Sequence, residues 1–515
     1  MGSSTDGQQA SSVSKLADEC LSRASEWLAK ACWAELGAKA SFADFEARLY
    51  AIANEAARRQ IEARLQQIED GHTEQVLVAG KRYRRHECGK SMPYHSLVGT
   101  VHVRRSTYRE IGVRNGPTVV PLDLAAGLIH WSTPALAYSA AHGYGAAPMR
   151  HYEVQMKAAH RAVPPRATLE RLALSVGGCA AQDVRTIEPS LRASETLPPN
   201  AHALAVSLDR TAVAMAEERP PGTPPNSRRK PRSAPYQREP PEPIDVNWRM
   251  IYVGTVSVVN SGGEVITTRK YHATPEEETD EIMARMMADV AHCRATKLLP
   301  VAVVQDGAPE MWNVVRAALR ANGVRKWTEV IDRYHVNERL AAALELIERD
   351  GKERRQRLEK WGEQLDRSPR AIYRIAKWIE TKWYAMPRES HKAQQLDGHV
   401  GYISGYASKM NYAAYRRAGL PIGSGAVEGA CKSLVGFRAK RSGQRWKQDG
   451  LTAALTLRSR CARSNKADDL PHSGNSSLSD FQPISARCDP SVVHTPGRSI
   501  AGRGAPSTDD KSKPS

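Results

Sequence analysis

The spacing of apolar residues changes several times along the first part of the chain. Leu16, Cys20 and Ala24 recur every fourth residue, which predicts helical structure. The segment VGTVHVRRSTYREI alternates between polar and apolar positions and is rich in β-branched residues, so it predicts short antiparallel strands. We therefore expect a helical N-terminal region, a small β-rich region and a second helical region, at residues 13–75, 76–123 and 124–195.

Farther along, continuous apolar runs predict buried strands. HALAVSL ends at Leu208 and PVAVVQ ends at Gln305, and the turn sequence NSGG joins two alternating segments into a hairpin. Thr274 precedes a proline and two acids, which predicts the start of a helix that runs to Cys293. The order of strands and helices predicts a mixed α/β sheet within residues 200–334.

Shorter segments predict one more strand of this sheet, and helices lie before and after that strand. Residues 309–321 predict a helix, and WTEVIDRY, at 327–334, predicts a further strand. Residues 335–418 are helical with many charges and aromatics, and residues 419–466 contain a Gly-rich loop that leads into a final helix.

Three stretches lack apolar periodicity. Residues 1–12 and 467–515 are rich in Ser, Gly and other small or polar residues, so we expect them to be disordered. Residues 217–246 contain too many prolines and arginines for a strand or a helix. This stretch is therefore expected to be a loop inserted between the first two strands of the sheet.

Composition narrows the class of protein. The 515 residues include 74 Lys and Arg against 56 Asp and Glu, a formal charge of +18, which weakly favours a polyanionic partner. No apolar run approaches the roughly 18 residues of a membrane-spanning helix, and the N-terminus lacks an apolar signal core. Eight cysteines without a CxxC pair do not indicate a disulfide framework. We therefore expect a soluble protein in a reducing compartment, the cytoplasm.

Three acids occupy comparable places in this pattern. Asp209 and Asp306 each follow an apolar strand, and Glu428 lies at the start of a helix, after the glycines of GSG. In open α/β sheets ligands bind beyond the carboxyl ends of strands. A single Asp at a strand end is more often a turn residue or a helix cap, so the pattern acquires weight only from all three acids together.

Converging carboxylates repel one another unless cations neutralise them. Oxygen-only ligand sets suit Mg²⁺ or Mn²⁺. Two such ions can activate an attacking oxygen and stabilise a leaving oxygen in phosphoryl transfer. The three acids therefore predict a two-metal site at Asp209, Asp306 and Glu428.

The amino-acid sequences of the segments around these acids resemble those of a known family. LAVSLDRT, VAVVQDGAPEMWNVV with VIDRYHVNERL, and LPIGSGAVEGACKSLVGFRAKRSGQRW are similar to the DDE transposases of bacterial insertion sequences, most closely the ISKra-type family. The similarity covers roughly residues 75–465. The resemblance implies an RNase H-like catalytic domain with an α-helical insertion, preceded by helical and β-rich DNA-binding regions.

Function follows from the same resemblance. The family's catalytic acids fall on Asp209, Asp306 and Glu428, and the implied activity is Mg²⁺-dependent cleavage of transposon ends and transfer of the 3′-hydroxyl to target DNA. Two alternatives stay open. One is a nuclease of the same fold without strand transfer, and the other is a non-catalytic DNA-binding protein derived from a transposase.

One feature departs from the family. Relatives commonly carry Cys pairs ahead of the catalytic domain, whereas here that region holds Cys88 with His86 and His95 nearby. A closed structural zinc site needs four ligands. The sequence therefore gives little support for a bound zinc.

Asp332 and His335 admit two interpretations. In the functional one, Asp332 supports the metal site or orients DNA, and His335 lies near a phosphate. In the structural one, which we favour, Asp332 caps the following helix and His335 has a packing role.

Basic residues follow Glu428 closely, and we expect them to contact DNA phosphates, with a tryptophan among them that could stack on an unpaired base. The predicted DNA contacts are Lys432, Arg438, Lys440, Arg441, Arg445, Trp446 and Lys447. A candidate helix-turn-helix within residues 148–188 would present Arg166 and Arg171 to DNA. By analogy the working complex, associated with the bacterial nucleoid, contains DNA and more than one copy of the chain.

Overall fold

The computed structural model describes residues 5–36, 40–220, 244–387 and 389–464. The chain divides into two compact units, with the boundary between Pro134 and Ala135. The predicted tail at 467–515 and most of the predicted loop at 217–246 lie outside the described residues.

The first unit combines long helices with an antiparallel sheet in which neighbouring strands follow one another in the chain. Its elements are α1 (Thr5–Glu35), α2 (Phe42–Asp70), β1 (Gln75–Val78), β2 (Lys81–Ser96), β3 (Gly99–Glu110), β4 (Thr118–Val119) and α3 (Pro121–Ala125). The expectation that residues 1–12 are disordered is wrong from residue 5 onward, because α1 begins at Thr5. The Ala- and Ser-rich segment there has no helix breaker after Gly7.

A small core holds this unit together. Tyr94, Val101 and Val103 project from one face of the hairpin formed by β2 and β3, and they pack with Leu65 of α2 and Leu122 of α3. These positions alternate along β3, as the sequence pattern predicted for a strand with one buried face.

The second unit begins with helices and continues into a mixed sheet. The helices are α4 (Pro134–Ala146), α5 (Met149–Ala158), α6 (Arg166–Gln182) and α7 (Val184–Ser194), and the strands are β5 (Ala203–Glu218), β6 (Ile244–Val259), β7 (Val265–Ala273), β8 (Val301–Gln305) and β9 (Thr328–Ile331). Within the described residues the strand order is β7-β6-β5-β8-β9. Strands β5 to β7 pair antiparallel, whereas β8 and β9 run parallel to β5. The predicted mixed α/β class is confirmed.

Helices flank the strands and follow the sheet. They are α8 (Thr279–Thr296), α9 (Pro309–Ala321), α10 (Arg333–Ile347), α11 (Gly351–Arg367), α12 (Ala371–Tyr384), α13 (His391–Tyr406), α14 (Tyr412–Arg417), α15 (Gly425–Ala430), α16 (Phe437–Ala439) and α17 (Gln448–Ser464). A π-helical turn, Cys431–Gly436, connects α15 to α16. In the part of the chain that the structure describes, no helix has the length and apolar character required to cross a membrane.

Three predicted boundaries are wrong. Strand β5 does not end before Asp209 but continues to Glu218, because β6 pairs with it residue by residue over its whole length. Helix α8 begins at Thr279, five residues after the predicted start at Thr274. Strand β9 ends at Ile331, and the residues predicted to prolong it already begin α10.

Two separate hydrophobic cores pack against the first and the second half of β5. The first half of β5 and all of β8 are buried in the main core with α8, α9 and α10, which explains why these strands are continuous apolar runs. The second half of β5 and the facing part of β6 carry a smaller core under α15, the π-helical turn and α17. The helix that carries Glu428 is thereby packed against the strand that carries Asp209.

Candidate active site

The structure brings the three predicted acids together. Asp209, Asp306 and Glu428 line one cavity of about 220 Å³, together with His335 and Glu338. We call this the acidic cavity. Strands β5 and β8 supply one wall, and helices α10 and α15 supply the other.

Asp209 lies within β5, opposite Val253 of β6. The pairing of β5 with β8 stops at Val206, so Asp209 stands just past the carboxyl end of β8. One of its oxygens accepts a hydrogen bond from the Arg210 N–H at 2.7 Å, and the other lies 3.4 Å from the Cys431 thiol. Burial, together with the Asp209 charge, raises the pKa of Cys431, so the thiol stays protonated and donates to Asp209.

Asp306 follows the last residue of β8 in a turn that several contacts hold. Its Oδ1 accepts from the Ala308 N–H at 3.0 Å, and its carbonyl oxygen accepts from the Trp312 indole at 2.9 Å. The ring of Tyr402 lies so close to Gly307 that an added Cβ would come within 2.2 Å of it. Close packing therefore requires a glycine at this point of the turn.

Glu428 projects from α15 toward the same cavity. Its Oε1 lies 3.4 Å from the Ser424 hydroxyl, and its Oε2 lies 3.6 Å from the ammonium group of Lys432, which is itself largely exposed. Val427 and Ala430 on the same helix are buried against β5 and β6. The apolar face of the helix thus sets the direction in which Glu428 points.

Asp332 caps α10, as the favoured structural interpretation predicted. Its Oδ1 accepts from the N–H groups of Tyr334 at 2.7 Å and His335 at 2.9 Å, and its Oδ2 accepts from the Ser424 N–H. Burial would raise the pKa of Asp332, but the hydrogen bonds from Ser424 and His335 outweigh burial and keep the pKa below its usual value. Because Ser424 precedes α15, this carboxylate also ties α10 to the helix that bears Glu428.

His335 lies beside the three acids. Its ring lines the acidic cavity, and its Nδ1 lies 3.2 Å from Asp332 Oδ1. Ligand atoms of Asp332, His335 and Glu428 lie within 4.8 Å of one another, so this group could hold a metal ion.

Glu338 is a cavity residue that the sequence reasoning missed. It lies one helical turn after His335, so both face the same side of α10. The spacing Asp332, His335, Glu338 was visible in the sequence, but it was informative only once α10 was known to begin at Arg333.

A larger cavity of about 510 Å³ adjoins the acidic cavity and shares Asp306, His335 and Glu338 with it. Arg339 and Tyr402 contribute its farther wall, and the Arg339 guanidinium lies 4.9 Å from the centre of the Tyr402 ring. Burial raises the pKa of Tyr402 to about 12. The acids therefore lie at the end of a longer cleft.

The predicted DNA contacts separate into exposed and buried residues. Lys432, Lys440, Arg441, Arg445 and Lys447 are exposed or partly exposed. Arg438 and Trp446 are buried, at 2% and 5% exposure.

For Arg438 and Trp446 the prediction of DNA contact is wrong for this conformation. The Arg438 guanidinium lies between the rings of Tyr144 and Trp446 and donates to the Tyr144 carbonyl at 2.7 Å. The exposed aromatic residue of this segment is Phe437. The basic and aromatic composition of this segment did not show which of its side chains would be buried in the core.

The candidate helix-turn-helix corresponds to α5 and α6. Helix α6 buries Leu169, Leu172 and Val176 within the second unit. Arg166 forms an ion pair with Glu153 at 2.7 Å, and Arg171 is exposed. DNA binding by these helices stays a prediction.

The residues weighed for zinc lie along β2. Cys88 is exposed, and His95 Nδ1 lies 3.3 Å from the Thr100 hydroxyl. The regularly paired stretch from Lys90 to His95 alone spans about 17 Å at the usual rise, so Cys88 and His95 are too far apart to share one ion.

Comparison with known proteins adds no identification. No protein-family model matches the sequence, and no curated protein matches it.

Proposed function

We propose that this protein is a DNA transposase that cleaves the ends of an insertion sequence and joins them to target DNA by phosphoryl transfer. The observation that carries the proposal is the convergence of Asp209, Asp306 and Glu428 on the acidic cavity. These acids come from two strands and a helix far apart in the sequence, and they are the positions at which the transposase family has its catalytic acids.

The donor atoms suit hard divalent cations. Asp306 Oδ2 accepts no hydrogen bond from any residue that the structure describes, and Arg210, next to Asp209, is paired instead with Glu310 at 2.6 Å. The cation near Glu428 is Lys432, but its ammonium group is too exposed to solvent to neutralise the negative charge of the cavity. Carboxylate oxygens without a buried counter-charge favour Mg²⁺ or Mn²⁺. When bound, two such ions would activate the attacking oxygen and stabilise the leaving oxygen.

The chain's own residues would position the acids and the DNA. Asp332 holds the start of α15 against α10, and the Asp306 turn is held by Trp312 and the Tyr402 ring. Lys440 bonds to the Thr211 hydroxyl, two residues after Asp209 on β5. Exposed cations at this position are suited to bind phosphates beside the cavity.

The RNase H-like fold and the multimeric complex belong to the same proposal. The mixed sheet and the helices between β9 and Glu428 support the fold, because the resemblance implies a helical insertion before the last acid. Assembly into more than one copy rests on the need to hold two DNA ends together.

The test is an end-cleavage assay with DNA that carries the inverted repeats flanking the reading frame. Asp209→Asn, Asp306→Asn and Glu428→Gln are each expected to abolish Mg²⁺-dependent cleavage, a loss of at least about a thousandfold, while DNA binding survives. Glu363→Gln, an exposed acid of α11, is the matched control and should cleave normally.

The products separate the alternatives. A joined donor–target molecule supports the transposase, whereas cleavage without joining indicates a nuclease. Tight DNA binding without any Mg²⁺-dependent reaction indicates a non-catalytic DNA-binding protein. Normal cleavage by any of the three variants would contradict the assignment of that acid.

A further inference from the structure

The second half of β5 forms, with β6, a ribbon that extends past the end of β8. Residues Thr211–Glu218 pair with Ile244–Ile251, and Trp446 joins the other edge of β5 through hydrogen bonds with Ala214 and Ala216 at 3.0 and 2.7 Å. One face of this ribbon lies under α15, the π-helical turn and α17. The described residues leave the opposite face largely open.

Alternation assigns the side chains to the two faces. Val213, Met215 and Ile251 are buried in the smaller core, so the intervening residues point the other way. In register these are Ala214 opposite Trp248 and Ala212 opposite Met250. Trp248 is 70% exposed and Met250 41% exposed, which agrees with an open face.

The same reasoning places two cations on this face. Trp446 lies opposite Met215 and is buried with it, so its neighbours Arg445 and Lys447 point to the open side. Both are exposed, and neither forms an ion pair with a residue in the described ranges. We call the surface formed by Ala212, Ala216, Trp248, Met250, Arg445 and Lys447 the ribbon platform.

We propose that the ribbon platform binds an unpaired DNA strand beside the acidic cavity, an inference that rests on the proposed function. One exposed Trp would be unremarkable by itself, since single apolar residues are common on surfaces. Here a large exposed ring lies opposite the small, buried Ala214 and beside two exposed cations. Sequence-independent binding of single strands uses this combination, in which bases stack on aromatic rings and cations contact the backbone.

The platform and Asp209 lie on opposite faces of β5, because Asp209 shares the face of Val213 and Met215, and the two faces meet at the edge of the strand. Ala212 lies three residues after Asp209, about 10 Å along the strand. Between Val206 and Ala214 the edge of β5 is paired with neither β8 nor Trp446. A strand lying on the platform can cross this edge to reach the cavity.

An unpaired strand fits better than a duplex. The faces of paired bases are covered by their neighbours in the stack, so a single protruding indole has no base face to meet in an intact duplex. The platform therefore predicts a preference for DNA that is single-stranded next to the scissile phosphate.

The first experiment compares binding of a labelled single-stranded DNA oligonucleotide with binding of the corresponding duplex, by fluorescence anisotropy on the full chain. Trp248→Ala is expected to weaken single-strand binding about tenfold and duplex binding less than about twofold, because stacking on one ring is lost. Trp248→Phe should retain most of the affinity. Tyr373→Ala, which removes an exposed ring from α12, is the control and should change neither.

The second experiment uses salt dependence. Replacing both Arg445 and Lys447 with Ala should reduce the slope of log affinity against log salt by about 1.4, since each phosphate contact to a single strand contributes about 0.7. An unchanged slope, or unchanged single-strand affinity in Trp248→Ala, would overturn the platform. Equal losses of duplex and single-strand affinity would also overturn it. So would a smaller assembly in Trp248→Ala with DNA affinity intact, which would identify a subunit interface.

The two proposals fail in different ways. If Trp248→Ala binds normally while Asp306→Asn abolishes cleavage, the platform is refuted and the transposase stands. If single strands bind through Trp248 and no Mg²⁺-dependent reaction occurs, the surface is real and the proposed activity is refuted. Absence of any DNA binding would refute both.

Discussion

Asp306 and Asp332 occupy equivalent positions at the ends of two neighbouring parallel strands, yet the structure uses them differently. Asp306 follows β8 and is half-buried, with one oxygen free of hydrogen bonds from the described residues. Asp332 follows β9 and is buried, with N–H donors from α10 and from Ser424 on its two oxygens. Position at a strand end therefore does not show whether a carboxylate is already engaged as a cap, whereas the number of hydrogen bonds that it accepts does.

The largest expected effect on stability concerns the capping carboxylate. Asp332→Asn should lower the free energy of unfolding by about 2–3 kcal/mol, because an amide in its place turns an NH₂ toward at least one backbone N–H donor. Urea unfolding followed by circular dichroism at neutral pH measures it. A loss below the experimental error would mean that Asp332 is not what joins α10 to α15.

The turn after Asp306 should tolerate no side chain at its glycine. Gly307→Ala would place a Cβ 2.2 Å from the Tyr402 ring and should cost about 1–3 kcal/mol by overpacking. The same unfolding measurement applies. In a double-mutant cycle with Tyr402→Ala the two losses should not add, since removal of the ring relieves the clash.

A control for this prediction lies on the same helix as Tyr402. Gly398 has open space where a Cβ would go, so Gly398→Ala should be neutral or slightly stabilising. Additive losses in the cycle would show that the ring is not the obstacle.

The contribution of Asp332 to the free energy of unfolding should disappear at acid pH. The pKa of this carboxyl is below its usual 3.8 in the folded chain, so its stabilising contribution is present above that pH and is lost as the pH falls further. The difference in unfolding free energy between the wild type and Asp332→Asn, about 2–3 kcal/mol at pH 7, should therefore narrow below about pH 3.8. A difference that stays constant down to pH 2 would contradict the assignment.

The smallest change in the free energy of unfolding is expected for a substitution of Asp306. Asp306→Asn should change the free energy of unfolding by less than about 0.5 kcal/mol without added metal, because it keeps a side-chain acceptor for Ala308 and removes one of several like charges. The comparison with Asp332→Asn is made under identical conditions. A loss as large as that of Asp332→Asn would remove the distinction between the two carboxylates.

The sequence was most informative where local pattern and final environment agree. The strand before Asp306 and the helix after it match the predicted limits within one residue, because an apolar run buried on both faces and a proline at the first helical turn are local signals. The cap at Asp332 was likewise foreseeable from the short side chain before a helical segment.

Contacts between segments distant in the chain account for the main errors of the sequence predictions. Arg210 and Thr211 interrupt the apolar run, so the sequence indicated that the strand stops at Asp209, whereas pairing with β6 keeps β5 extended to Glu218. The burial of Arg438 and Trp446 depends in the same way on Tyr144, almost three hundred residues earlier.

By itself, then, the sequence determined the types of the main elements, the mixed α/β class and the three acids, since each is encoded in a few neighbouring residues. Only the tertiary structure decided that these acids meet in one cavity, that Ser424 also donates to Asp332, that His335 and Glu338 join the cavity, and that Trp248 shares an open face with Arg445 and Lys447. These outcomes depend on register and packing between segments distant in the chain, and a local pattern carries no information about which distant residue will be its neighbour.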